Sequence, residues 1–209
     1  MVVPELVAVD LAAAQRQFCD VFGFTVDGSL MRLGSQAVAL RQGAGGHGVI
    51  DHLALSVPDL DAAATEMMAR GAETESTTAD GPQLIPEFWR GGVRYLFLTG
   101  PEGARIELCQ NLANPQPLGH DHIGIPCTDI AASEAFVLGL GGRLVASVTL
   151  TRADGVTQVR FVELAGGLLE FYMAPVMAPV AAHGFWSRLL VPGLAAAVTG
   201  PDGLQFAPL

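Results

Sequence analysis

A repeated segment that opens with Asp-His constrains this chain more than any other feature of its sequence. One copy runs from 49 to 71 and a second from 120 to 141, and they carry the dipeptides Asp51-His52 and Asp121-His122. In each copy a short apolar strand, a small turn with an acidic residue and an Ala-rich helix ending at glycine follow in the same order. One such unit cannot bury its own sheet, so the repeat predicts units that pair.

Each copy also carries a glutamate in a later apolar strand, Glu107 in RIELCQ and Glu170 in LLEFYM. The spacing from His52 to Glu107 is 55 residues, and the spacing from His122 to Glu170 is 48. A buried carboxylate is costly unless it is paired. A shared metal ion would pair both glutamates, and ion pairs with Arg94, Arg105 or Arg160 are the alternative explanation. The matched positions predict a metal site built from His52, Glu107, His122 and Glu170.

The order of strands and helices predicts an α+β chain of βαβββ modules. We place a truncated module at 1–47, full modules at 48–114 and 115–174, and a truncated fourth module at 175–209 with a short helix in LAAAV. In the first module Glu5 takes the place of His52, and Ala39 or Leu40 falls where Glu107 stands. Because neither outer module can bury its own sheet, we expect the two outer modules to pair with each other and the two inner modules to pair around the metal.

Composition excludes several classes of function. The formal net charge is −10, which makes nucleic acid and anionic membranes unsuitable partners. All 11 basic residues are arginine, so Schiff-base chemistry and a P-loop lysine are excluded. No apolar run reaches the roughly 18 residues of a membrane span, and the N-terminus lacks the basic start of a signal peptide. We expect a soluble cytoplasmic monomer or homodimer whose three cysteines are buried thiols.

The segments 51–57, 103–108 and 121–125 resemble the vicinal oxygen chelate superfamily, which includes glyoxalase I, methylmalonyl-CoA epimerase, extradiol dioxygenases and bleomycin-binding proteins. The stretches HLALSVPDLDAAATEMMARGAE and GVRYLFLTGPEGARIELCQ look most like glyoxalase I and its epimerase relatives. The resemblance implies cupped, mostly antiparallel half-barrel sheets with helices outside. It also implies one metal ion in the cup, held by His52, Glu107, His122 and Glu170.

Two imidazoles and two carboxylates leave two positions free on a six-coordinate ion. This mixed ligation suits Zn, Ni, Co, Mn or Fe(II) without choosing among them. A small substrate with two adjacent oxygens could bind there as an enediolate, with Glu170 or Glu107 moving a proton as general base. We assign the pocket wall to Phe88, Trp89, Arg90, Tyr172 and His120. Core packing is the alternative for the three aromatic residues, and exposure at the strand start is the alternative for His120.

Three functions remain open from the sequence. A glyoxalase I-like isomerase or lyase, or an epimerase close to it in chemistry, uses the full set of ligands. An Fe(II) ring-cleavage dioxygenase is favoured by the four-module length, but the presence of Glu107 speaks against it. A metal-free binding protein of the bleomycin-resistance type would use Phe88 and Trp89 for a flat ligand.

Overall fold

The computed structural model describes residues 1–44, 48–175 and 186–209. The expected linker around His47 and most of the Pro-rich start of the fourth module, including His183, lie outside these ranges. In the described parts the chain is α+β, as predicted, with three α-helices and two sheets of mixed but mostly antiparallel strands. No helix in the described ranges is both long and apolar enough to cross a membrane.

The first two modules each begin with a strand and a helix. The first module contains β1 (Val3–Ala8), α1 (Leu11–Asp20), β2 (Thr25–Asp27), β3 (Leu30–Leu33) and β4 (Gln36–Gln42). The second module contains β5 (His52–Ser56), α2 (Leu60–Ala69), β6 (Glu73–Thr74), β7 (Gln83–Ile85), β8 (Val93–Thr99) and β9 (Arg105–Asn111).

The last two modules differ in completeness. The third contains β10 (Gly119–Pro126), α3 (Ile130–Gly139), β11 (Arg143–Arg152), β12 (Gly155–Leu164) and β13 (Gly167–Met173). The described part of the fourth contains β14 (Trp186–Val191), β15 (Val198–Thr199) and β16 (Gln205–Pro208).

The acidic residue in each turn caps the helix that follows it. Asp10, Asp59 and Asp129 each have an extended backbone, and each side chain accepts a hydrogen bond from the backbone N–H three residues later. This is the usual way to satisfy an otherwise unpaired donor in the first turn of a helix. The repeated acid therefore fixes where each helix starts.

The inner sheet joins the second and third modules. Its central strands run in the order β13-β10-β5-β9, with β5 and β10 antiparallel across the junction between the modules. Successive side chains of a strand point to opposite faces. Leu53 and Leu55 of β5 enter the main core together with Leu60 and Met67 of α2. The alternate face, which carries His52, is thereby left free to form the site.

The outer sheet joins the first and fourth modules, as the sequence predicts. Strand β1 pairs antiparallel with β14, and the whole sheet runs β15-β16-β14-β1-β4-β3-β2. Trp186 of β14 is fully buried and packs near Phe18 of α1. The outer modules therefore cover each other's apolar surfaces.

Two details of the outer modules differ from the sequence predictions. The helix predicted in LAAAV is wrong, because residues 194–198 contain no helix and Val198 instead pairs with Phe206 in the sheet. Five residues between two Pro/Gly turns are too few to sustain an isolated helix. In the first module the segments FTVDG–LMRLG and SQAVALRQ, which predict two strands, form the three strands β2, β3 and β4.

The alignment of the first module also needs correction. Glu107 pairs with Ala54, two residues after His52. In the outer sheet the corresponding position, two residues after Glu5, is Val7, and Val7 pairs with Arg41. Arg41, not Ala39 or Leu40, therefore stands at the position of Glu107.

Candidate metal centre

Four adjacent strands carry the four predicted ligands to one face of the inner sheet. Glu107 lies in β9, His52 in β5, His122 in β10 and Glu170 in β13. Glu107 and His122 both pair with Ala54, while His52 and Glu170 both pair with Gly124. Because the register is interlocked in this way, the four side chains meet over the centre of the sheet.

The donor atoms of these side chains are in close contact. The Nε2 atom of His52 lies 3.0 Å from Oε2 of Glu107 and 3.7 Å from Oε2 of Glu170. The Nε2 atom of His122 lies 3.3 Å and 3.0 Å from the same two oxygens. All four residues are at most 7% exposed. Two imidazoles and two carboxylates therefore share one small, nearly dry volume.

Each imidazole is held from behind by the aspartate that precedes it in sequence. The Nδ1 atom of His52 lies 2.8 Å from Oδ2 of Asp51, and Nδ1 of His122 lies 2.7 Å from Oδ1 of Asp121. Histidines that bind metals usually have such a carboxylate on the other ring nitrogen, which fixes the tautomer and the ring orientation. With the proton on Nδ1, both Nε2 lone pairs face the shared volume, so this donor set fits a divalent metal ion.

The charges in the cluster perturb each other strongly when only protein groups are considered. Burial by itself would lower the pKa of His52, but hydrogen bonds to Asp51, Glu107 and Glu170 outweigh it and raise that pKa to about 10. Burial would raise the pKa values of Glu107 and Glu170, but the neighbouring histidines lower both to about 2. Both carboxylates are therefore ionised at neutral pH. A metal ion that binds here must replace the histidine protons.

Asp51 is supported by two further residues. Arg105 donates from Nη1 to Oδ2 of Asp51, and its guanidinium carbon lies 3.8 Å from the ring centroid of Phe97. Burial would raise the pKa of Asp51, but hydrogen bonds from His52 and Tyr172 and the charge of Arg105 lower it. Asp51 therefore stays ionised and can keep His52 in one orientation.

Gly124 provides the space for the His52 ring. A Cβ atom at residue 124 would lie 2.0 Å from Cε1 and 2.3 Å from Nε2 of His52. No side chain larger than hydrogen fits there without moving the imidazole. Gly124 is therefore part of the site although it has no chemical group to contribute.

A cavity of about 250 Å³ opens over the cluster. Phe88 and Tyr172, which the sequence analysis assigns to the pocket wall, line it together with Tyr95 and Phe97. The Tyr172 ring stacks on His52 with centroids 6.4 Å apart. Ion pairs of Glu107 and Glu170 with Arg94, Arg105 or Arg160, the alternative to a metal site, are not formed among the described residues, since these arginines pair with Asp61, Asp51 and Glu134 respectively.

Two residues assigned to the pocket, Trp89 and Arg90, do not line the cavity. Trp89 packs on Phe161 with ring centroids 4.8 Å apart and is not among the described residues that line the cavity. Arg90 is exposed on the neighbouring loop, outside the same lining. A sharp turn with positive φ at Trp89 and at Gly91 directs this part of the loop away from the cavity.

The assignment of His120 to the pocket is also wrong. Its Nδ1 atom lies 2.6 Å from Oε1 of Gln36, and its Nε2 atom accepts a hydrogen bond from the backbone N–H of Leu168. An irregularity between His120 and His122 in the pairing of β10 breaks the expected alternation of faces. His120 therefore links the two sheets and does not face the cavity.

No protein-family model matches this chain, and no curated protein matches it either. Solved structures do match. Glyoxalase I from maize (Zea mays) superposes with a TM-score of 0.73 over 98% of this chain and 89% of that chain, at 16% identity. A glutamate-to-glutamine variant of the maize enzyme gives a TM-score of 0.75 over 99% and 91%, at 15% identity.

The chain has the glyoxalase I fold. The fold of paired βαβββ modules expected from the sequence is thereby confirmed over nearly the whole chain. Methylmalonyl-CoA epimerase from Mycobacterium tuberculosis covers a smaller part, 64% of this chain and 93% of that chain, with a TM-score of 0.46 and 20% identity.

Within this glyoxalase I fold, sequence reasoning missed the residues that support the ligands. Asp51 and Asp121 belong to the repeated Asp-His dipeptide, but only the structure shows that each carboxylate contacts the imidazole of the histidine that follows it. Gly124 and Arg105 gave no recognisable signal. Their parts in the site depend on strand register, which a sequence shows only indirectly.

Proposed function

We propose that this protein is a metal-dependent enzyme of the glyoxalase I type, which moves a proton between adjacent carbon atoms of a small substrate with two neighbouring oxygens. One observation carries the proposal. Two histidine Nε2 atoms, each with its Nδ1 held by an aspartate, converge with two carboxylates in a buried volume beneath a cavity.

His52, Glu107, His122 and Glu170 would hold one divalent ion. When bound, such an ion supplies positive charge that polarises two adjacent substrate oxygens and makes the neighbouring C–H bond more acidic. The mixed nitrogen and oxygen donors suit Zn, Ni, Co, Mn or Fe(II). Asp51 and Asp121 fix the two histidine rings, so the ligands are positioned before an ion arrives.

A carboxylate of the same cluster is the base in this proposal. Glu170, with Glu107 as the alternative, takes the proton from the carbon that bears one oxygen and returns it to the adjacent carbon. The hydroxyl proton passes to the other oxygen, so the product is an isomer of the substrate and no oxidant is consumed. A correctly placed carboxylate contributes about 10²–10⁴-fold to such a step.

The two glutamates at the base of the cavity are shielded from solvent, which favours proton transfer. Glu170 and Glu107 are 7% and 6% exposed, so little water reaches the carboxylate that holds the transferred proton. The aromatic rings of Phe97 and Tyr172 lie against His52 on the cavity side. The substrate proton is therefore held between protein groups during transfer.

Metal analysis of the purified protein is the first experiment. We expect one ion per chain, lost on replacement of His52 and His122 by alanine. Nickel or zinc supports the isomerase, and bound iron with oxygen uptake on catechols would instead establish the ring-cleavage dioxygenase. A protein that binds aromatic ligands equally well without any metal would be a binding protein, and the proposal would be wrong.

A further inference from the structure

The walls of the cavity differ from its base in chemical character. The base holds the charged cluster, whereas the sides are formed by apolar and aromatic side chains, among them Ile85, Phe88, Val93, Leu150 and Val159. Phe88 is 5% exposed and Val159 is 1% exposed, and both pack around Phe161. A substrate bound by its oxygens at the base must therefore place the rest of its body against apolar surface.

The only arginine on the cavity wall within the described ranges is Arg105. Its Nη1 atom is engaged by Asp51, and its Nη2 atom bonds Thr77 at 3.0 Å and lies 3.6 Å from Glu75. The Nε atom of Arg105 makes no hydrogen bond, but it is buried and a substrate cannot reach it. Arg105 therefore presents no free guanidinium edge to a substrate.

An arginine on the same strand as the cavity-lining Leu150 is also engaged. Arg152, two residues beyond Leu150, donates from both Nη atoms to the two carboxylate oxygens of Glu87, at 2.7 and 2.9 Å. Arg94 makes the same kind of pair with Asp61. Both charges are compensated by the protein itself.

The total charge of the cavity leads to the same conclusion. Three carboxylates line it, those of Asp51, Glu107 and Glu170. Arg105 and one divalent ion together balance them, so no net positive charge remains to attract an anionic arm. Burying an unpaired carboxylate against apolar walls would be costly.

The size of the cavity limits the substrate further. About 250 Å³ is at the small end for a ligand pocket. Aromatic rings at the wall are themselves arranged edge to face, as in the pair Phe88 and Phe161 at 5.1 Å. Such a wall favours a flat or branched apolar group of modest size.

We infer that the substrate is a small, uncharged compound with an aryl or branched alkyl group next to its two adjacent oxygens, such as an α-hydroxy aldehyde or ketone, and not a glutathione adduct or other anionic conjugate. This inference rests on the proposed function, because it assumes that adjacent oxygens bind at the His/Glu cluster. It adds the nature of the group that fills the rest of the cavity.

Three hydroxamates test the inference by calorimetric titration of the metal-loaded protein. Acetohydroxamate offers the two oxygens alone, benzohydroxamate adds a neutral ring, and 4-carboxybenzohydroxamate adds a carboxylate to that ring. We expect benzohydroxamate to bind at least about tenfold more tightly than either of the others, because its ring buries apolar surface without burying charge. Equal or tighter binding of 4-carboxybenzohydroxamate or acetohydroxamate overturns the inference.

Two variants locate the effect. Leu150→Ala should reduce the preference for benzohydroxamate over acetohydroxamate severalfold, since Leu150 lines the cavity. Val156→Ala is the matched control, because Val156 is 47% exposed and lies outside the lining. An unchanged preference in Leu150→Ala contradicts the inferred binding mode.

The same titrations distinguish failure of the inference from failure of the proposed function. If no hydroxamate binds, or if all three bind equally well after removal of the metal, chelation at the cluster is wrong and the inference is overturned with it. If binding requires the metal but follows a different order, the proposed function stands and only the inference is overturned.

Discussion

The Nε2 atoms of His52 and His122 lie 3.1 Å apart and face each other across the base of the cavity. Their rings are nearly perpendicular, with an interplanar angle of 81°. At this distance only one of the two nitrogens can carry the proton that lies between them, whereas both can direct lone pairs at a common ion. A metal ion that displaces the histidine protons can therefore bind both nitrogens at once.

The aspartates behind the histidines give the first prediction. Asp51→Asn replaces a carboxylate that fixes the His52 tautomer with an amide that can also donate. We expect metal affinity to fall about 10–100-fold, measured by competition with a chromophoric chelator. Asp61→Asn, which changes an exposed aspartate paired with Arg94, is the control and should bind metal normally. Unchanged affinity in Asp51→Asn would show that the carboxylate does not position the ring.

The space beside His52 gives the second prediction. The methyl group of Gly124→Ala would lie 2.0 Å from the imidazole, so the ring must rotate or the strands must separate. We expect at least about tenfold weaker metal binding and a loss of stability of about 1–3 kcal/mol from overpacking.

Gly139→Ala is the matched control for this substitution. Gly139 lies in α3, and a Cβ atom there meets nothing within 4 Å. Alanine is the better helix former by about 1 kcal/mol, so stability should be equal or higher and metal binding unchanged. Normal metal binding by Gly124→Ala would mean that the His52 ring can be accommodated in another orientation.

The assignment of the base gives the third prediction. Glu170→Gln should retain the fold and most of the metal, because an amide oxygen can still coordinate, but turnover should fall about 10²–10⁴-fold because an amide cannot accept the proton. Turnover is measured with an α-hydroxy aldehyde or ketone that carries the side group preferred in the hydroxamate series. Undiminished turnover removes Glu170 from this role and leaves Glu107. Glu163→Gln, at an exposed ion pair with Arg143, controls for loss of charge on the same module.

The buried carboxylate of the outer sheet gives the fourth prediction. Glu5 is 4% exposed and accepts hydrogen bonds from Arg41 at 2.9 Å, Arg188 at 2.8 Å and Ser187 at 3.0 Å. Burial would raise the pKa of Glu5, but these partners outweigh it and lower that pKa from its ordinary value of 4.5. A lowered pKa in the folded state stabilises the fold above pH 4.5, and this contribution is lost as the pH falls through the lowered value.

Glu5→Gln should therefore destabilise the protein by about 1–3 kcal/mol at pH 7, and the difference from the unmodified protein should shrink below pH 4.5. Urea unfolding at pH 7 and at pH 3 measures both values. Glu66→Gln, at an exposed pair with Arg70, should change stability by less than about 0.5 kcal/mol at either pH. A difference that is equal at both pH values would mean that the charge of Glu5 contributes nothing.

The inner modules could be predicted from sequence because several independent signals agree there. The Asp-His repeat, the capping acids Asp59 and Asp129 and the glutamate strands all indicate the same units, and such agreement is what makes a sequence specify one fold. The interlocked register that brings Glu107 and His122 to the same partner, Ala54, follows once the units are paired correctly.

The remaining features depend on local departures from regular geometry. The change of register between His120 and His122 reverses the face expected for His120. Positive φ at Trp89 turns its loop away from the cavity, although the aromatic composition of that loop suggested a pocket wall. Such features occupy one or two residues, and no periodic pattern in the sequence announces them.

Glu5 shows a second way to keep a carboxylate beneath the surface of this scaffold. Arg41 stands at the strand position that corresponds to that of Glu107, and Arg188 pairs with Glu5 as Gly124 pairs with His52. In the outer sheet two arginine side chains thus neutralise the buried carboxylate. At the corresponding positions the inner sheet has Glu107 and Gly124 instead of arginines. The charge of Glu5 is therefore compensated at any pH at which arginine is protonated. The charge of the inner carboxylates would instead be compensated by a bound metal, so the state of that sheet would depend on which metal ions surround the protein.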